Sequence, residues 1–236
     1  QNLNYLYVNG IKTQEDYDCI CKIPNLKQLR VENVDFKKKF KISQLPKQIE
    51  ELCIEDNNYD LTQLDSIEGI SQLQNLKKLS LTFYNGIKIN RLEEINQLNN
   101  LEDLSINNNL TDLNFLQGNN TIKKLDASNN QLTDLSVIKE NSTIEILNIE
   151  ENQLTNLNFL QGNNTIKELN VSNNKLQDIS GIENCTTMEN LNISHNNLTK
   201  LDIDTLESLS NLKYCGIYEN SIEDLSSLKN SSVLDK

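Results

Sequence analysis

The chain has 236 residues, a net charge of −12 and a hydrophobic content of 36%, below the roughly 45–50% of an ordinary globular protein. No apolar stretch reaches the ~18 residues of a membrane-spanning helix. The acidic balance argues against nucleic acid, where binding draws on Lys and Arg against phosphate.

Apolar residues recur in a frame, L-x-x-L-x-L-x-x-N-x-L, that can be followed along the chain. The first copy starts at Leu3 and turns Tyr5 and Tyr7 outward; the connection Thr13–Ile23 after it is long enough for a helix. The second starts at Leu26, presents Arg30 and Glu32, and has Val34 where the frame calls for Asn. Lys37, Lys38, Lys39, Lys41 and Lys47 then crowd one connection, read as a solvated loop. The third copy, from Ile49, presents Glu51, Glu55 and Asp56, within a stretch to Leu76 that also holds Glu50, Asp60, Asp65 and Glu68 and no base. The fourth, from Leu76, brings Phe83 near this surface and has Tyr84 at the Asn position; Asn90–Leu98 is a second candidate helix. From Leu101 the starts at Ile122, Ile144, Ile166 and Met188 are spaced by 21, 22, 22 and 22 residues, with Asn130, Asn152, Asn174 and Asn196 in step. The last copy starts at Leu212 and presents Tyr214 and Tyr218. This predicts one domain over 1–236, with irregular repeats over 1–100, regular ones over 101–228 and a tail at 229–236.

The physical logic of the frame is a coil. L-x-L makes a short strand whose alternate side chains face opposite ways, so its two apolar residues point inward. The Asn turns the chain. Its amide both donates and accepts, and so can satisfy backbone groups that a buried turn would otherwise orphan. One repeat buries too little to offset the entropy of ordering it, so stability comes from stacking on neighbours. Thr111–Leu135 and Thr155–Ile179 repeat each other 44 residues apart, LNFLQGNNTIK included, as duplication of a two-repeat block leaves them. Asn in excess of the ladder is assigned to coding bias.

A period of about 20–29 residues with this pattern identifies a leucine-rich repeat solenoid. The 22-residue period, with a second apolar pair after the Asn (Leu132 and Leu135, Leu154 and Leu157, Leu176 and Ile179, Leu198 and Leu201), resembles the class that includes regulatory subunits of type-one Ser/Thr phosphatases and the bacterial internalins. The resemblance implies an α/β fold of about ten repeats. It would be a curved right-handed coil with a parallel sheet on the concave face and 3-10 turns or short helices on the convex face. Family members mostly bind proteins on the concave face, and no family contact residue can be carried onto this chain.

In the middle repeats the outward positions are small and polar: Ser105, Asp126, Asn148, Asn170 and Asn192, followed by Asn107, Ser128, Glu150, Ser172 and Ser194. Aromatic and charged anchors, which dominate strong interfaces, gather instead at the ends. The candidate partner-binding residues are therefore Tyr5, Tyr7, Arg30, Glu32, Glu51, Glu55, Asp56, Phe83, Tyr214 and Tyr218, a surface suited to a protein with a basic face. The competing reading makes the terminal tyrosines caps over open solenoid ends.

Chemistry has little material. The one His, His195, has no companion ligands for a metal. No G-x-S-x-G, phosphate-binding loop or zinc-protease helix occurs, and Asp202 with Asp204 reads as surface charge. No cofactor, metal or catalytic residue is expected. Five scattered Cys, with Cys215 at a core position, favour reduced thiols and an intracellular setting. The N-x-S/T triplets at Asn109, Asn119, Asn141, Asn163, Asn184, Asn192, Asn197 and Asn230 point to secretion, but a chain this rich in Asn, Ser and Thr carries several by chance. The function expected is a non-enzymatic interaction scaffold or regulatory subunit, without nucleic acid or membrane insertion. The alternatives are a sensor domain of a larger enzyme and an extracellular, internalin-like adhesin.

Overall fold

The computed structural model describes residues 2–11, 13–33, 41–56, 66–83, 89–107 and 109–226. Val34, Lys37, Lys38, Lys39, Asp60, Asp65, Tyr84, Asn230 and the 229–236 tail lie outside the described residues. The chain divides into two compact units, Gln1–Asn109 and Leu110–Lys236.

The first unit carries β1 (Tyr5–Asn9), β2 (Gln28–Glu32), β3 (Glu51–Asp56), β4 (Lys78–Phe83) and β5 (Asp103–Asn107). Each pairs in parallel with the next, and the frame leucines stay in step: Leu29 opposite Leu52, Leu52 opposite Leu79, Leu79 opposite Leu104. The second unit carries β6 (Lys124–Asp126), β7 (Ile146–Asn148), β8 (Glu168–Asn170), β9 (Asn190–Asn192) and β10 (Tyr214–Gly216), from β6 to β10 also parallel and in register. Parallel neighbours need a crossover between them. Here short 3-10 turns such as Ile70–Gln72, Asn114–Leu116 and Asn158–Leu160 supply it. The fold is a leucine-rich repeat solenoid with one strand per repeat.

The inward residues of the frame are the core. Leu26, Leu29, Val31, Ile49, Leu52 and Ile54 are buried in the first unit, as are Ile122, Leu125, Ala127 and Leu132 in the second. In the first repeat Leu3 is exposed while Leu6 and Val8 are half-buried, because β1 has a strand on one side only. The Asn ladder works through the backbone. The Leu132 amide donates to Asn152 Oδ1 at 2.9 Å, and Asn152 Nδ2 donates to the carbonyls of Ala127, Ile149 and Glu150. Asn174 and Asn196 repeat the pattern one coil on, so each Asn ties its own turn to the preceding coil.

Two features of this turn escape the sequence pattern. The residue just before the ladder Asn takes a left-handed backbone, with φ from 52° to 56° at Asn129, Glu151, Asn173 and His195. Only Gly, and less readily Asn, adopts this conformation easily, so Glu151 and His195 are held there by the surrounding hydrogen bonds. Strand length also differs between units: five or six residues in the first, three in the second. The long strands include β2 and β4, whose frames have Val34 and Tyr84 at the Asn position, but β3, whose frame has Asn57 there, is as long as β4, so the ladder residue alone does not set strand length.

A second corner explains part of the Asn excess. Asn141 Oδ1 accepts the amides of Thr143 and Ile144, both at 2.9 Å, and Asn119 and Asn163 make the same pair of bonds in their coils. The Thr143 hydroxyl donates to the Ile122 carbonyl of the coil before. These N-x-T triplets are turn-forming units, and coding bias is not needed to account for them.

The connections between strands are partly as expected. Helix α1 (Gln14–Cys21) forms within Thr13–Ile23, started by a capping box in which Thr13 and Asp16 exchange side-chain bonds with each other's amides. Asn90–Leu98 instead contains a 3-10 helix, Leu92–Gln97. It is anchored by Glu94, whose carboxylate accepts the Gly69 amide and the Ser71 hydroxyl of the previous turn. A further helix, α2 (Ile203–Ser208), was not anticipated. Asp202 is its N-cap and accepts the Thr205 amide, which assigns this acid a structural task.

Candidate functional site

Alternation along β1–β3 sends one set of side chains into the core and the other to solvent. On β1, Tyr5 and Tyr7 are 51% and 47% exposed. The Tyr7 hydroxyl donates to Glu32 Oε2 at 2.8 Å, and the Arg30 guanidinium carbon lies 5.9 Å from the Tyr7 ring centroid, within cation–π range. Arg30 also bridges two carboxylates, with Nε 2.9 Å from Glu32 and Nη2 2.9 Å from Glu55. Glu55 is on β3, so the cluster spans three strands. Gln28 donates to Glu51 at 2.9 Å.

The electrostatics follow from these contacts. The Tyr7 hydroxyl, and then the Arg30 guanidinium, outweigh burial and hold the Glu32 carboxyl below its usual range. The same bond to Glu32 pushes the Tyr7 phenol up. Glu32 is therefore an anion and Tyr7 a neutral donor at physiological pH. Beside the cluster is a depression of about 310 Å³, lined by Tyr5, Arg30, Glu51, Cys53, Glu55 and Ser80. Cys53 and Ser80 were not among the residues singled out from sequence. They are small side chains at the same outward position as Arg30, opposite one another in register, and that column position was the signal available.

One expected member does not join. Phe83 is only 3% exposed and belongs to the core. It stands two residues beyond Leu81 on a six-residue strand, and period-two alternation puts it on the inner face with Leu79 and Leu81. Asp56 ends β3 in register with Phe83; its side chain lies outside the described residues. Tyr5, Tyr7, Arg30, Glu32, Glu51 and Glu55 are brought onto one face.

Tyr214 and Tyr218 belong to the second unit, at and just past β10, and are 54% and 58% exposed. Tyr218 meets His195 edge-on, with ring centroids 5.0 Å apart. The Tyr214 hydroxyl lies over Gly216, 2.9 Å from where a Cβ would be, so any side chain at 216 would displace it. The intervening outward positions are blander than sequence suggested. Ser128, Ser172 and Ser194 are buried, because Asp126, Asn170 and Asn192 accept their amides and pull them into the turn.

All five cysteines are free. Cys215 is half-buried, and burial pushes its thiol up to about 11, as it does the buried Cys185. Exposed Cys19 should react with iodoacetamide within minutes in the folded protein, and Cys185 only on unfolding, since the thiolate is the reactive form. Peptide mapping of the native protein checks this; equal labelling of the two would contradict the packing described. Among the described residues no group of three His, Cys, Asp or Glu side chains could hold a metal, and no helix is long and apolar enough to cross a membrane.

Internalin InlF of Listeria monocytogenes matches with a TM-score of 0.68 at 23% identity, over 91% of this chain and 67% of the internalin. Internalin C2 of the same organism matches with a TM-score of 0.68 at 29% identity, over 79% and 78%. The chain is a leucine-rich repeat protein. TLR13, in a complex with ssRNA13, shares the fold at 19% identity with a TM-score of 0.69, and this leucine-rich repeat chain spans 37% of its length. No protein-family model matches the sequence, and no curated protein matches it. The leucine-rich repeat assignment therefore rests on the frame, on the one-strand coils and on the solved structures together.

Proposed function

We propose that this leucine-rich repeat protein is a non-enzymatic interaction scaffold or regulatory subunit. It binds a protein partner with a basic surface through the outward face of β1–β3. The observation that carries the reading is the cluster of Tyr5, Tyr7, Arg30, Glu32 and Glu55. It joins exposed aromatic rings to an ion-paired arginine on adjacent strands, and Tyr and Arg are the residue types that most often anchor interfaces. Glu51 adds an exposed acid at its edge. RNA is the poorer partner for a chain of net charge −12, and five free thiols suit an intracellular setting. Affinity capture with mass spectrometry, run with the parent chain and with Tyr7→Ala plus Glu55→Lys, tests the reading. The double variant should lose its specific partner at least tenfold. Unchanged recovery would place the binding surface elsewhere.

A second reading is an extracellular, internalin-like adhesin, favoured by the match to two Listeria internalins. Intact-mass measurement of the protein from its natural source separates the two. Five free thiols and no glycan count against the adhesin; a glycan or paired thiols would favour it.

A further inference from the structure

The residue after the first apolar position of each frame immediately precedes the strand. In the first unit it is Asn4 and then Lys27, Glu50, Lys77 and Glu102; in the second it is Lys123, Glu145, Lys167, Glu189 and Lys213. The sign alternates from Lys27 to Glu102 and again from Lys123 to Lys213. The backbone sets these residues side by side: the Lys27 carbonyl accepts the amides of Glu50 and Glu51, and the Glu145 carbonyl those of Lys167 and Glu168. Their side chains then meet across coils. Glu50 lies 2.7 Å from Lys27 and 2.8 Å from Lys77, Lys167 lies 2.7 Å from Glu145, and Lys213 lies 2.6 Å from Glu189. Held between two lysines, Lys27 first, the Glu50 carboxyl is pushed down to about 2.

Each exposed pair by itself contributes little. The order of the signs matters more than any one pair. Within the runs from Lys27 to Glu102 and from Lys123 to Lys213 every charge has neighbours of opposite sign only, so removing one coil from inside a run brings like charges together. The resulting mismatch is one of parity. Reversing one charge inside the run moves the like pair along it, and the pair disappears only when every charge from the break to one end is reversed, whereas taking out two coils leaves the alternation intact. The 44-residue echo obeys this rule: Thr111–Leu135 and Thr155–Ile179 are two frames apart, and their charges, Lys123 and Lys167, have the same sign.

We propose that this row is a register device that makes a pair of coils, not a single coil, the unit by which the solenoid is lengthened, shortened or duplicated. The proposal is independent of the partner. Two deletions from the full chain test it. Removing residues 144–165 joins Thr143 to Ile166 and sets Lys123 beside Lys167. Removing 144–187 joins Thr143 to Met188 and sets Lys123 beside Glu189. Both keep the Asn spacing. The shorter deletion should have a urea midpoint that rises relative to the parent when NaCl is raised to about 1 M, where charges are screened beyond roughly 3 Å. The longer deletion, although it removes more, should follow the parent's salt dependence. An equal or larger salt gain in the longer deletion overturns the proposal.

Substitutions at constant length give a second measurement if a deletion fails to fold. Glu145→Lys places three lysines in a row. Inverting all five charges of the second unit (Lys123→Glu, Glu145→Lys, Lys167→Glu, Glu189→Lys, Lys213→Glu) restores the alternation. The single reversal makes the net charge less negative and the inversion makes it more negative, so overall repulsion alone favours the single reversal. The proposal requires the opposite: a lower thermal midpoint at low salt for Glu145→Lys than for the fivefold variant, with that gap more than halved at about 1 M NaCl. A fivefold variant as low as Glu145→Lys would sink it.

Discussion

Phe83→Ala should destabilise the first unit by about 3–5 kcal/mol, the usual cost of emptying a buried aromatic site. Phe83 is 3% exposed at the end of β4, and the coils around it touch only their neighbours, so the structure can collapse into the gap only in part. Tyr7→Ala, on the solvent face of β1, should stay within about 1 kcal/mol of the parent, the scale of a surface side chain with one hydrogen bond. Urea denaturation of the two variants side by side distinguishes core from contact residue. A Phe83→Ala protein with unchanged stability would return Phe83 to the outward surface.

Asn152→Leu should cost about 2–4 kcal/mol although it puts a hydrophobic residue of similar size into a site only 3% exposed. The Leu132 amide has Asn152 Oδ1 as its partner and would be buried without one, which costs roughly 1–3 kcal/mol. The Ala127, Ile149 and Glu150 carbonyls each lose one bond but keep another, from Asn130, Asn174 and the Asn129 amide. Asn164→Ala, at an exposed position holding only a long bond to the Gly162 carbonyl, should stay within about 0.5 kcal/mol. If Asn152→Leu proves neutral in urea denaturation, the ladder is filling space rather than satisfying the backbone.

Much of this was legible in the sequence because a coil repeats one solution. Leu125 and Leu147 must be buried for the same reason, and each copy of the frame is a further observation of it. The αL turn was hidden. Its residue is Asn in two coils but Glu in Glu151 and His in His195, residue types that do not announce a positive φ. Asp202 is exposed, as expected of surface charge, but its capping of α2 was hidden because its partner, the Thr205 amide, is a backbone group with no sequence mark of its own.

The candidate site was legible where alternation alone decides the face. Tyr5, Tyr7, Arg30, Glu32, Glu51 and Glu55 fall on the outward positions, and the structure presents them there. Phe83 was lost because the regular repeats lead one to expect a three-residue strand. On β4 the strand continues for six residues, carrying Phe83 inward. The same continuation places Glu32 within reach of Tyr7 and Arg30. Ser128, Ser172 and Ser194 failed in the reverse direction. They keep an outward position in the pattern, but the turn set by the ladder Asn begins early and buries them.

Hydroxyl-radical footprinting of the chain with its captured partner tests the central claim most directly. Tyr5, Tyr7, Tyr214 and Tyr218 are similarly exposed in the free protein, so their reactivities can be compared within one digest. Binding through the face of β1–β3 predicts strong protection of Tyr5 and Tyr7, with Tyr214 and Tyr218 unchanged. Protection of Tyr214 and Tyr218 while Tyr5 and Tyr7 react as before would contradict the account.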